Sequence, residues 1–112
     1  MSLESLLPDT TRLTADLAAQ FVLEHPGTFR AMLDASLAQE YPMAMRASRV
    51  VYLVAIAEPD LARPYLQEII EEMPCLHDQS VIRNFLHVFD NFTNELSEDQ
   101  LAVLLRLCFD YI

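Results

Sequence analysis

One helical pattern occurs three times in this chain of 112 residues, and breaks rich in proline and acidic residues separate the copies. The three copies are Leu33, Ser36 and Leu37; Leu66, Ile69 and Ile70; and Leu101, Leu104 and Leu105. Each triplet has the spacing of one face of a helix, and a second set of apolar segments lies between the copies. The sequence therefore predicts one domain of three helix pairs in series, approximately at residues 10–40, 43–74 and 78–112.

The amino-acid composition agrees with a helical domain. The chain contains a single glycine, Gly27, which disfavours a turn-rich β fold and excludes a glycine-rich phosphate-binding loop. Apolar residues make up 53% of the chain, enough for a small core in a domain of this length.

Prolines and capping residues predict where the helices begin and end. The predicted breaks are His25–Gly27, Tyr41–Pro42 and Glu58–Pro59. The residue before a proline is biased away from helical geometry, which supports these breaks. Asp78 is predicted to cap the fifth helix, and Ser97–Gln100 form a capping box at the start of the last one. Pro64 is predicted to bend the fourth helix near its first turn.

Apolar spacing predicts which helix faces are buried. The predicted core stripes are Leu13, Leu17, Phe21 and Leu23 in the first helix, and Ile82, Phe85, Leu86, Phe89 and Phe92 in the fifth. The segment Val50–Ala57 is apolar all round, so a helix there must be covered on more than one side. Its β-branched residues suggest a strand, but a continuous segment from Met43 to Ala57 is long enough to favour a helix.

Three short motifs are similar to those of known helical repeats. They are Met45–Val50, Pro59–Leu66 with its second proline at Pro64, and His77–Asp78 followed by Val81–Arg83. On these motifs the chain resembles the HEAT-like, armadillo-type α-α superhelix proteins, more closely over 43–112 than over 11–40, where Ala31 replaces the second proline. The resemblance implies an all-α fold of three antiparallel helix pairs, about six helices, stacked as a short right-handed α-α superhelix. It also implies a surface that binds a protein partner.

The charge of the chain restricts its partners. Seven arginines and no lysine stand against seventeen acidic residues, for a formal charge of -10. Such a charge disfavours nucleic acid and favours a basic protein or peptide. Val50–Ala57 is the longest apolar run and is too short to span a membrane. With an N-terminus that lacks a basic region and two isolated cysteines, the sequence predicts a cytoplasmic protein that does not enter a membrane.

The densest acidic cluster is the predicted partner-binding site. It contains Gln67, Glu68, Glu71 and Glu72 on the polar side of a second-position helix, and Asp34 one repeat earlier extends it if both helices face the same way. In superhelical repeats the second helices line the concave surface, which implies a site for a basic peptide. The alternative interpretation is an ordinary solvated helix face.

Other reactive or charged groups are predicted to be structural. Cys75, His77 and Asp78 include metal-ligating types, but a loop with a helix cap is favoured over a zinc site because no second ligand pair follows. His87 and Asp90 can pair on one helix without a nearby nucleophile.

Three arginines lie near the starts of first-position helices, namely Arg46, Arg49 and Arg83. We expect them to bridge acids of neighbouring repeats, such as Glu40, Glu58 or Asp78. A small basic patch for an acidic ligand is the alternative.

The sequence thus predicts a non-enzymatic protein-interaction module or scaffold, without catalytic residues, metal or cofactor, that presents an acidic helical face to a basic partner. The apolar last helix supports a second hypothesis, a structural homodimer formed through residues 97–112. A small-ligand sensor or helical enzyme is a third, and it requires a pocket where polar groups converge.

Overall fold

The computed structural model describes the backbone of residues 3–110 and the side chains of residues 5–106. Within residues 3–110 every regular element is helical, which confirms the predicted all-α class. The α-helices are α1 (Leu3–Leu6), α2 (Arg12–Glu24), α3 (Phe29–Leu37), α4 (Met43–Ala57), α5 (Pro59–Ala62), α6 (Leu66–Glu72), α7 (Gln79–Asp90) and α8 (Glu98–Asp110). Short 3-10 turns at Pro26–Thr28, Arg63–Tyr65 and Met73–Cys75 adjoin α3 and α6.

The predicted breaks and caps are confirmed by the backbone, although α3 ends at Leu37 and not near Tyr41–Pro42. The Asp78 carboxylate accepts hydrogen bonds from the amides of Ser80 at 2.8 Å and Val81 at 3.2 Å. In the capping box, the Ser97 hydroxyl accepts from the Gln100 amide at 3.1 Å and the Gln100 side chain accepts from the Ser97 amide at 2.9 Å. A 3-10 turn around Pro64 interrupts the fourth predicted helix where the bend was expected.

Helix α4 forms the centre of the core. It is helical through Val50–Ala57, so the strand interpretation is wrong for this segment. As expected for a helix that is apolar all round, it packs against α2, α3 and α7. The side chains of Val50, Val51 and Val54 are fully buried.

The core face of α2 differs from the predicted one. Leu13 and Leu17 are 68% and 63% exposed, and the buried face carries smaller side chains. The buried residues of α2 are Ala15, Ala18, Ala19 and Val22. These positions also have the spacing of one helix face, and their small side chains let α2 approach α4 closely. The prediction is therefore wrong for Leu13 and Leu17, whereas Phe21 and Leu23 are half-buried.

The repeated triplet is buried in two of its three copies. Leu33, Ser36, Leu66, Ile69 and Ile70 are buried, and Leu37 is half-buried. In the third copy only Leu104 is buried, whereas Leu105 is 60% exposed. The predicted stripe is confirmed within α7, since Ile82, Phe85 and Phe89 are buried and Leu86 is half-buried. Phe92 is buried as well, but it lies in the turn after the end of α7 at Asp90.

Several long-range polar contacts join residues that are a similar number of positions apart in the sequence. Nine side-chain hydrogen bonds of the described residues each span 32–39 residues. Ser48 on α4 bonds to Asn84 on α7, and further along both helices Tyr52 lies against His87 with ring centroids 5.2 Å apart. Because both residue numbers increase together, α4 and α7 run parallel. Helices α4 and α7 therefore lie side by side in the same direction.

Candidate functional site

The predicted acidic residues of α3 and α6 lie on one surface, where Arg30 joins two of them. The Arg30 guanidinium is 2.8 Å from the Asp34 carboxylate and 2.7 Å from the Glu68 carboxylate. Its hydrogen bond lowers the pKa of Glu68, and the two carboxylates raise the pKa of Arg30. Asp34 and Glu68 are thus already paired within the chain, which the sequence analysis did not predict.

The other members of the acidic face remain open to solvent. Glu71 and Glu72 are exposed and take part in none of the ion pairs found within residues 5–106. Gln67 donates to Glu71 at 3.1 Å and accepts from Gln100 at 2.7 Å. The second of these bonds joins α6 to the start of α8. The face therefore continues from α3 across α6 to α8 and keeps most of its negative charge.

A second ion cluster with a similar arrangement lies around Arg63. Arg63 makes two bonds to Glu95, at 2.7 and 3.2 Å, and also pairs with Asp60. Its guanidinium lies over the Phe92 ring, 5.7 Å from the centroid, much as Arg30 lies 5.8 Å from the centroid of Tyr65. Arg30 and Arg63 thus each contact an acid and an aromatic ring that lie further along the chain.

The three arginines near the helix starts do not bridge acids, so the expected role was wrong. Within the described side chains, none of Arg46, Arg49 and Arg83 forms an ion pair. Arg46 donates to the Leu7 carbonyl at 3.0 Å, and Arg49 donates to the Thr10 carbonyl at 3.1 Å. The segment before α2 supplies backbone acceptors where acidic side chains of neighbouring repeats were expected.

These arginines converge on a cavity of about 250 Å³, which we call the arginine pocket. Its lining residues are Leu7, Asp9, Thr10, Thr11, Ala15, Met45, Arg46, Arg49, Ser80, Arg83 and Asn84. They come from the segment before α2, from the first turn of α2 and from the first two turns of α4 and α7, because these helices lie side by side with their starts on the same side. Sequence reasoning missed the cavity. The available signal was the presence of Arg46 and Arg49 near the start of one predicted helix and of Arg83 near the start of another.

Asp9 is the acidic side chain in this lining. Its carboxylate accepts from the Thr11 amide at 2.9 Å and from the Thr11 hydroxyl at 2.7 Å. Hydrogen bonding by Thr14 and Thr11, helped by the charge of Arg46, lowers the pKa of Asp9 to about 2. Asp9 is therefore ionised at neutral pH and offsets one of the three guanidinium charges.

The groups considered for metal binding or base chemistry have structural contacts. Asp78 caps α7, as predicted, and the backbone amide of His77 donates to the Gln39 side chain at 2.6 Å. His87 lies 3.6 Å from the Asp90 carboxylate on the exposed side of α7. Cys75 is exposed, and the side chain of Cys108 lies outside the described residues.

The predicted dimer surface at 97–112 is described in part. Along α8, Leu104 is buried, Leu101 and Val103 are half-buried, and Leu105 is 60% exposed. The side chains of residues 107–112 lie outside the described part of the chain. Helix α8 therefore has one face on the core and an apolar side chain on the other.

Comparison with known proteins found no relative of this chain. No protein-family model, curated protein or solved structure matches the chain significantly. In the part of the chain that the structure describes, no helix combines the length and the apolar character needed to cross a bilayer.

Proposed function

We propose that this chain is a helical-repeat protein-interaction module whose acidic face on α3 and α6 binds a basic segment of another protein. The observation that carries the proposal is the set of side-chain hydrogen bonds between positions 32–39 residues apart. Contacts between equivalent positions of neighbouring units are the hallmark of stacked repeats, which present extended surfaces to partners. They support the HEAT-like, right-handed α-α superhelix as the architecture.

The charge distribution supports the class of partner. Arg30 and Arg63 form exposed ion pairs with Glu68 and Glu95. By contrast, Glu71 and Glu72 are exposed to solvent on the acidic face and have no cationic partner among the described residues. A basic peptide gains from unpaired carboxylates more than from carboxylates that already have a cation. Glu71 and Glu72 are therefore the residues that select a basic partner, and Asp34 and Glu68 support the surface.

The proposal is tested by charge reversal at the two open positions. Glu71→Lys with Glu72→Lys is compared with Glu24→Lys and Asp90→Lys, which make the same charge change near the ends of α2 and α7. Binding of a labelled arginine- and lysine-rich peptide is followed by fluorescence anisotropy, and circular dichroism checks the fold. We expect the first variant to lose most of the affinity and the control to lose little. Equal losses would show only a general charge effect and would refute the proposed site.

Self-association is a second candidate, and the exposure of Leu105 on α8 favours it. An apolar side chain in water on a terminal helix gains stability when another surface covers it. Light scattering over a concentration series measures the mass in solution. We expect a concentration-dependent dimer that Leu105→Glu abolishes, and a strict monomer for the unaltered chain would remove this candidate.

A further inference from the structure

We propose that the arginine pocket binds a phosphomonoester group. The pocket lies on α2, α4 and α7, so the inference is independent of the acidic face on α3 and α6. In a chain with a formal charge of -10, three of the seven arginines line this one cavity. The arginines of the two exposed clusters have carboxylate partners, whereas those of the pocket have none among the described residues.

The unused hydrogen-bonding capacity of the pocket points to an anion. Each guanidinium carries five N–H donors. Arg46 and Arg49 each donate one bond to a backbone carbonyl, and Arg83 is exposed without an ion pair in the described structure. The Nε of Arg46 is buried and has no hydrogen-bond partner within the described chain. Most of the N–H donors of these three guanidinium groups therefore have no acceptor within the described chain and are available to an anion.

The electrostatic balance favours a doubly charged ligand. Three guanidinium groups face one carboxylate, Asp9, whose Oδ1 already accepts two hydrogen bonds from Thr11. Two positive charges are therefore uncompensated, and a phosphomonoester carries about -1.5 to -2 at neutral pH.

The size and chemistry of the lining favour a phosphate group over a larger cofactor. A cavity of about 250 Å³ lies below the range typical of sites for drug-sized ligands, ~300–1,000 Å³. Arginine binds phosphate oxygens in bidentate geometry, and the neighbouring Ser80 hydroxyl and Asn84 amide are further donors for the remaining oxygen atoms.

The test measures binding to the full chain by isothermal titration calorimetry. Its ligands are inorganic phosphate, a phosphoserine peptide, the same peptide with serine, and succinate as a dicarboxylate of similar charge. Arg83→Gln and Arg49→Gln are compared with Arg106→Gln, which removes the same charge from an exposed position on α8. Loss of one charge-assisted hydrogen bond predicts an affinity roughly tenfold weaker for each pocket variant. The Arg106 variant should stay within about twofold of the unaltered chain, because its side chain lies outside the pocket.

Each outcome decides the proposal. Binding of phosphate and phosphopeptide with similar affinity, lost in the pocket variants, supports a small phosphorylated molecule as the source. Much tighter binding of the phosphopeptide than of phosphate supports a phosphorylated protein. No binding, equal binding of succinate, or an equal loss in Arg106→Gln would overturn the proposal. Arg83 is exposed, so Arg83→Gln carries the test even if Arg49→Gln fails to fold.

Discussion

The hydrogen bond between Ser48 and Asn84 gives a quantitative test of how α4 and α7 are stacked. The Ser48 hydroxyl is fully buried, accepts from the Asn84 amide at 2.9 Å and donates to the Met45 carbonyl at 3.0 Å. A neutral hydrogen bond of this kind contributes about 0.5–1.5 kcal/mol net. Asn84 is half-buried in the pocket lining, so water can partly replace its lost partner, and we place the coupling near 1 kcal/mol.

The assay is a double-mutant cycle on the free energy of unfolding in urea. Ser48→Ala, Asn84→Ala and the double variant are measured under the same conditions, and the double variant should be less destabilised than the sum of the single ones. Ser48→Ala combined with Ser97→Ala at the start of α8 provides the control, because distant sites add to within about 0.3–0.5 kcal/mol. A coupling for Ser48 and Asn84 no larger than this control would refute the register assigned to the two helices.

Two other predictions follow from the core and from the ion cluster. Phe85→Ala removes a fully buried ring from α7 and should lower the free energy of unfolding by about 3–5 kcal/mol, measured by urea denaturation. Arg30→Gln removes the hydrogen bond that lowers the pKa of Glu68. Pairing with Arg30 stabilises the fold above the usual pKa of a glutamate, and this contribution is lost as the pH falls through the lowered pKa of Glu68. The variant should therefore be less stable at neutral pH and approach the unaltered chain in acid.

Each of these two predictions would be contradicted by a specific result. A loss below about 1 kcal/mol for Phe85→Ala would mean that the ring does not fill the core between α7 and its neighbours. A stability difference for Arg30→Gln that stays constant from neutral to acid pH would mean that Arg30 acts by packing on Tyr65 and not through Glu68.

The helix boundaries could be predicted because they depend on local chemistry. Asp78 caps α7 and Ser97 caps α8 through hydrogen bonds to amides two or three residues away. Pro64 interrupts its helix because it lacks a backbone N–H, whatever lies around it. The stripe of α7 was equally clear, since that helix has a single apolar face.

The faces of an end helix could not be predicted in the same way. Helix α2 has two apolar stripes with helical spacing, one through Leu13 and Leu17 and one through its alanines. Which stripe is buried depends on how closely α2 approaches α4. That distance is set by the tertiary packing of the helices and not by the local sequence of α2. Residue size alone favoured the leucines, which are the exposed set.

A candidate site could be predicted from the sequence only where all of its residues lie on one helix. The acidic cluster on α6 is visible in the sequence because Glu68, Glu71 and Glu72 are neighbours. The ion pair between Arg30 and Glu68 joins residues that are 38 positions apart in the sequence. The hydrogen bond from Arg49 to the Thr10 carbonyl joins residues that are 39 positions apart. The positions of Arg46, Arg49 and Arg83 in the sequence identify them as a group, but their hydrogen-bond partners are known only from the tertiary structure.

The measurement that tests the proposed function most directly is a ¹H–¹⁵N NMR titration of the full chain with an arginine- and lysine-rich peptide. The proposal predicts that the amide signals of α6 shift most, centred on Glu71 and Glu72, with smaller changes on α3. The amides around Arg46, Arg49 and Arg83 should stay unchanged, because a basic peptide has no reason to enter a pocket of guanidinium groups. Shifts confined to α8 or to the exposed leucines of α2, or no shifts at all, would contradict the assignment of the acidic face as the binding surface.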